Sequence, residues 1–380
     1  MAARPPIRVL HVIPWVTSGG VERRRLELAR GLDPAVFQQR VVCLQARDSL
    51  RADFECAGVP VSSIGGTGSP LDLRSVWRVS REARVFRPHV IHGAVFEGVT
   101  LASLAGRLAR VPRIVIEEIS DGEHRSKRAQ ALFRAYALAA HECVAVSEYA
   151  KRQLVQTGIP PHRIRVIVNG VSTPALPDAE RVAELRALWG IDPGDVVICT
   201  IGRLHNEHKR VTDLIDAVAL AHAENPRIKL LVAGGGGEQA TLERHAAQAG
   251  LSERVKFVGY QANVGLVLAM ADVFALASAR ESFGLVAAEA MLAGLPVVAT
   301  AVGGLCEIVA DGQSGRLVPP FQPPRLAQAL LELCADPVLR RRLGDAGRER
   351  ATKFSSARRY VDQVGQLYQS LALASAGAQT

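Results

Sequence analysis

The sequence is short of rings: Phe, Trp and Tyr together make up 5% of its 380 residues. With no stacking platform and no known recognition motif, nucleic acid is not an expected partner. It also has no C-x-x-C pair. Cys43, Cys56, Cys143, Cys199, Cys306 and Cys334 are scattered without metal-type spacing, most of them inside apolar runs, so reduced, buried thiols in a cytosolic protein are expected rather than a disulfide framework. No 18 apolar residues run uninterrupted, since even 135–146 carries His141 and Glu142, which excludes a spanning helix. The opening residues place Arg8 before a short apolar run broken by Pro14, with no small-residue cleavage site, and so read as no signal peptide.

What is present is core-forming material: 48% hydrophobic residues and a mean hydropathy of +0.12, with length for two domains of ordinary size. The net charge of +9 is unevenly shared. Residues 1–175 carry 25 Lys and Arg against 15 Asp and Glu, whereas residues 176–380 carry 21 against 22. An electropositive half suggests an anionic surface as partner. Within it Arg74, Arg78 and Arg81 share an arc of about 60° at 100° per residue, opposite Val76, Val79, Ala83 and Phe86. A second basic cluster, Arg125, Lys127, Arg128 and Arg134, runs into Phe133 and Tyr136. Either cluster is a solvated helix face or a membrane contact in which Phe86 or Phe133 supplies apolar burial.

Short β-branched runs alternate with helical patterns. Strands are expected at 8–13, 39–44, 89–92, 113–116, 143–146 and 164–168, and again at 196–201, 229–233, 255–258, 273–276, 296–299 and 315–318. Near-continuous apolar strands separated by helices mean parallel sheets covered on both faces. A linker at 170–177, with Gly, Ser, Thr and two prolines, divides the series. The fold class is therefore α/β: two Rossmann-like domains whose parallel sheets face a cleft, over residues 1–172 and 178–353, with a last amphipathic helix from 357 packing back on the first.

Ligands of open α/β sheets lie beyond the carboxyl ends of strands, and three such places hold unusual residues. After the first strand, Gly19 and Gly20 open a helix whose first N–H groups could take a phosphate, or form an ordinary tight turn. After 196–201 comes Gly202-Arg203-Leu204-His205-Asn206-Glu207-His208-Lys209-Arg210. Arg203 and Lys209 could jointly grip a diphosphate, while His205, Glu207 and His208 offer a competing metal reading. The chain lacks Asp-x-Asp, the usual holder of a divalent ion on a nucleoside diphosphate, which favours metal-free handling by cations. Third, Glu281 precedes a helix that starts near Gly284, and Glu289 lies inside it among apolar residues. A buried carboxylate needs a partner, whether a sugar hydroxyl, an arginine or a backbone N–H.

Taken in order, Val166–Val171, Gly202-Arg203-Leu204, Gly234–Gly237, Phe257–Tyr260, Glu281 with Glu289 after seven intervening residues, Gly294–Gly304 and Gly315–Pro319 resemble the retaining glycosyltransferases of family 4, which have the two-domain GT-B fold. The resemblance covers nearly the whole chain and is strongest in its second half. It implies a metal-independent enzyme with no cofactor, which moves a sugar from a nucleoside diphosphate sugar to an acceptor hydroxyl on a glycan, lipid or small molecule. Glu281 would bind the donor sugar and Glu289 the ribose hydroxyls. Arg203 and Lys209 would hold the diphosphate with the amides of Phe283, Gly284, Leu285 and Val286, and Gly19 and Gly20 would close on it. The base would lie near Gly235 and Val258–Tyr260. Relatives commonly place a histidine where Glu118, or alternatively Glu117, stands here, and in many the lysine follows the arginine by five residues, whereas Lys209 follows Arg203 by six. His92 is the nearby histidine, with an acceptor role or a hydrogen-bonded place at a sheet edge. The expected location is cytoplasmic, peripheral to the inner face of a membrane. A nucleotide-sugar epimerase of the same fold and a non-enzymatic basic binding module are the alternatives.

Overall fold

A computed structural model of the chain describes residues 5–17, 19–67, 69, 72–118 and 126–376. It resolves into two compact units, one made of 1–170 and 356–380, the other of 171–355. The first unit holds β1 (Ile7–Val16), β2 (Phe37–Ala46), β3 (Val61–Ser63), β4 (Val90–Ala94), β5 (Arg113–Glu118), β6 (Glu142–Ala145) and β7 (Ile164–Val166). The second holds β8 (Val196–Ile201), β9 (Ile228–Ala233), β10 (Val255–Gly259), β11 (Val273–Leu276), β12 (Val297–Thr300) and β13 (Gly315–Val318). The sheets run β3-β2-β1-β4-β5-β6-β7 and β10-β9-β8-β11-β12-β13, and every strand pairing described is parallel. The strands read as apolar runs because helices cover both faces: Val9, Leu10, Val12 and Ile13 of β1 are wholly buried. The edge strand β3 is only Val61-Ser62-Ser63, too short and polar to stand out as a run.

The helix Ala357–Ala376 follows the second unit in sequence but belongs to the core of the first. Tyr360, Val361, Val364, Leu367 and Tyr368 pack there with Val9, Leu28, Val90 and Val115. Beneath the two tyrosines lies a polar cluster. Buried Arg25 donates through Nη2 to Glu117 Oε2 at 2.5 Å, and that oxygen is 3.5 Å from His92 Nε2. His92 Nδ1 lies 2.7 Å from the Tyr368 hydroxyl. Gln39 donates its amide to Leu28 O at 3.1 Å, which leaves Gln39 Oε1 as the acceptor for His11 Nε2 at 3.2 Å. Burial, reinforced by the Arg25 charge, lowers the His11 pKa to about 3 and takes His92 well below its usual range, so both rings are neutral.

Several expectations change here. His92 is neither at a strand end nor at a sheet edge: β4 continues to Ala94 between β1 and β5, and the ring is fully buried. Phe86 and Phe133 are core residues and cannot supply a membrane contact. Arg125 lies outside the described residues. Four cysteines are buried as expected, but Cys56 and Cys306 are exposed, and no disulfide joins any of the six.

Two imidazoles kept neutral in the fold take up protons in the unfolded chain once the pH drops below about 6.5. Their contribution is therefore intact above that pH and lost on acidification, at about 1.4 kcal/mol per pH unit for each ring. Urea unfolding of His92→Gln should show a pH slope shallower than wild type by about one ring's share between roughly pH 6 and pH 5; an unchanged slope would mean that His92 takes its proton inside the fold.

Candidate active site

In the second unit the strand order reverses between β8 and β11, and the crevice beyond the carboxyl ends at such a reversal is where open parallel sheets take ligands. The segment 202–210 follows β8 and the segment 277–284 follows β11. Two of the three places read from the sequence thus fall on the two strands that flank the reversal.

Glycine fixes the first of these loops. Gly202 N donates to Ala233 O at 2.9 Å and Leu204 N to Gly235 O at 3.0 Å, which lays the loop after β8 against the loop after β9. Gly234 has φ +145°, and a Cβ there would stand 1.7 Å from Gly202 O. At Gly236 it would meet Leu204 O at 2.4 Å. These glycines are required by backbone against backbone, and exposed Gly235 stands beside Tyr260. A short helix, Asn206–Lys209, follows, and Ala279 N donates to His208 O at 2.8 Å, tying it to the loop after β11. Arg203 and Lys209 then line one small hollow with Thr200, Val211, Ala233 and Leu276. Lys209 Nζ reaches Glu281 Oε2 at 2.6 Å, with the two side chains 23% and 18% exposed. The six-residue spacing therefore delivers the ammonium to the strand-end site.

Glu281 is held from below. Its carbonyl accepts from Gly304 N at 2.8 Å, and a Cβ on Gly304 would lie 2.5 Å from Ser282 O. Gly284, at φ +101°, opens the helix Leu285–Leu292, whose first N–H groups have no acceptor within the helix. Phe283 is buried, Leu285 and Val286 are half-buried, and Glu289 is buried in the second turn, where it is engaged by a neighbour. His205, Glu207 and His208 bring three ligand atoms within 4.8 Å of one another. However, Arg280 Nη2 lies 3.2 Å from His208 Nδ1 and 3.6 Å from Glu207 Oε1, so a guanidinium stands where a dication would have to be neutralised, and the donor set suits a resident metal poorly.

In the first unit Gly19 caps the helix Gly20–Gly31, but Glu22 folds back on it. A Gly19 Cβ would meet Glu22 Oε2 at 2.5 Å, and Thr17 Oγ1 donates to Glu22 Oε1 at 3.1 Å. A carboxylate already complements that helix end, which makes Gly19 and Gly20 the least suited of the expected phosphate contacts. Glu118 ends β5 opposite Ala145; its side chain lies outside the described residues. Glu117 points into the core to Arg25, so of the two glutamates only Glu118 remains an acceptor-side candidate, and buried His92 does not. One feature had no signal in composition or spacing: Val95, directly after β4, has φ +64°, a costly conformation for a β-branched residue at the order reversal of the first sheet.

Family descriptions match both units: "Glycosyltransferase Family 4" over residues 18–174 and "Glycosyl transferases group 1" over residues 182–350. Anabaena HepE in complex with UDP-glucose superposes with a TM-score of 0.86 at 24% identity, over 96% of this chain and 100% of that one. WaaG, a glycosyltransferase involved in lipopolysaccharide biosynthesis, gives 0.71 at 17% identity, over 95% and 99%. Among curated relatives, N-acetyl-α-D-glucosaminyl L-malate synthase of Bacillus anthracis is 33% identical over 187 residues, 49% of each chain. A D-inositol 3-phosphate glycosyltransferase of Mycolicibacterium gilvum is 38% identical over 220 residues, 56% of this chain and 48% of that one. The chain spans about half the length of the curated relatives it matches. Two parallel-sheet units with these neighbours define the GT-B class. Within that class the chain belongs to the family 4 glycosyltransferases.

Gly234→Ala should lower the stability of the second unit by more than about 1 kcal/mol, because it adds a clash to a left-handed backbone. Gly237→Ala, whose Cβ would meet nothing within 4 Å, is the control. Thermal midpoints that fall equally in both would show that the two loops do not depend on this approach.

Proposed function

We propose that the chain transfers a sugar from a nucleoside diphosphate sugar to an acceptor hydroxyl, with retention at the anomeric carbon and without a metal ion. The Lys209–Glu281 pair at the strand-order reversal of the second sheet, with Arg203 lining the same hollow as Lys209, carries this reading. The anomeric C–O bond to phosphate breaks, a C–O bond to the acceptor forms, and the acceptor proton passes to the leaving phosphate oxygen on the same face. Negative charge grows on the departing diphosphate, and Arg203, Lys209 and the N–H groups of 283–286 are fixed donors for it. Glu281, paired with Lys209, has a second oxygen for a sugar hydroxyl, and Glu289 serves the ribose. Neither carboxylate acts as nucleophile.

Uridine nucleotides are the first donors to test, since Anabaena HepE is seen with UDP-glucose. The curated relatives' names point to small hydroxyl-bearing acceptors such as malate and inositol phosphate. Six cysteines without a disulfide among them suit a reducing, cytoplasmic setting, and among the described residues no helix is long and apolar enough to cross a membrane.

Donor hydrolysis and transfer should persist in chelator. Arg203→Ala or Lys209→Ala should lower kcat by roughly tenfold to a thousandfold. Glu289→Gln should weaken donor binding, seen as a smaller thermal shift with nucleotide, and Glu281→Gln should lower turnover and alter sugar preference. Activity lost in chelator, or unaffected by loss of Arg203, would overturn the mechanism. An epimerised donor formed without acceptor would identify an epimerase instead.

A further inference from the structure

The helix Leu73–Phe86 turns Val76, Val79, Ala83 and Phe86 into the core of the first unit, which uses up the apolar face evident in its sequence. Its outward face is not simply cationic. At 100° per residue, Leu73, Trp77, Arg81, Arg74, Val85 and Arg78 share one arc of about 140° with Arg84. Leu73 and Val85 are each 71% exposed and Trp77 is 54% exposed. No acid lies in the arc. Glu82, at its margin, is held by Arg40 at 3.2 Å and Ser62 at 3.4 Å. Two of the arginines are rooted in the fold: Arg78 Nη1 donates to Ile64 O at 2.5 Å and Arg84 Nη2 to Leu108 O at 3.2 Å.

A lone exposed leucine needs no explanation. Leucine, tryptophan and valine interleaved with four guanidiniums along roughly 18 Å of one rigid helix face are a different matter, because water rewards only half of that surface. An interface between water and anionic headgroups rewards both halves. Trp sits well at headgroup depth, Leu and Val gain apolar burial below it, and guanidiniums bind phosphate through paired donors. A nucleic-acid backbone would satisfy the arginines but offer nothing to Leu73 and Val85.

We infer that the outward face of the helix Leu73–Phe86 docks the first unit on an anionic phospholipid membrane. This goes beyond the transfer reaction and stands whether or not that reading holds. It relocates the apolar contribution from Phe86 and Phe133, which are core residues, to Leu73, Trp77 and Val85.

Co-sedimentation with vesicles of phosphatidylglycerol and phosphatidylcholine, against vesicles of phosphatidylcholine alone, tests it at low salt. Wild type should partition at least roughly tenfold better into the anionic vesicles, with a blue shift of tryptophan emission. R74E/R81E and, separately, L73S/W77S/V85S should each lose roughly tenfold or more of that binding while keeping the wild-type melting temperature. Charge reversal alone would be felt by any polyanion site, so the apolar variant is the decisive one. If L73S/W77S/V85S pellets like wild type, or wild type stays in the supernatant, or it binds heparin but no vesicle, the inference fails.

Discussion

A guanidinium with no exposure to water must be neutralised where it lies, and Arg25 imposes this on the whole first unit. Removing one partner of such a pair costs about 3–5 kcal/mol, because the other charge is stranded. Arg25 therefore holds Glu117 inward at the end of β5 and adds its charge to the burial that keeps His92 and His11 neutral beside it. It also donates through Nη1 to the Tyr360 hydroxyl, on the helix Ala357–Ala376, whose Tyr368 hydroxyl meets His92 Nδ1. One buried charge thus ties a strand end to a helix from a distant part of the chain.

The second unit uses the same ingredients differently. Lys209 and Glu281 also form a cation–carboxylate pair, but both remain partly open to water, so either can exchange its partner for a ligand atom at modest cost. Arg25–Glu117 is closed to such exchange. The contrast, more than the residue types, separates a pair that builds a core from a pair that can handle substrate.

The alternation of apolar runs and helical patterns was enough to place twelve of the thirteen strands among the described residues, because a sheet buried on both faces has no polar period to hide it. The segments after β8 and β11 were also legible as candidate positions, since strand ends in this architecture are where ligands lie. Illegible were the features that depend on where a side chain turns. Glu117 and Glu118 are neighbours of one type, and only Arg25 separates their fates. His92 looked like a strand end because the small residues Gly93 and Ala94 do not advertise a strand. Glu22 gives no sign in sequence that it lies back over Gly19, and Phe86 and Trp77, on one helix, differ only in the side they face.

The helix Ala357–Ala376 has a further consequence, for the order of assembly. The second unit is a single uninterrupted stretch, 171–355, and every residue it needs is made before that helix begins. The first unit starts earlier on the ribosome but is completed later: the polar cluster of Arg25, His92 and Glu117 lacks its tyrosine hydroxyls until Tyr360 and Tyr368 have been synthesised. A nonsense codon near residue 356 would leave the second unit whole and unravel the one encoded first.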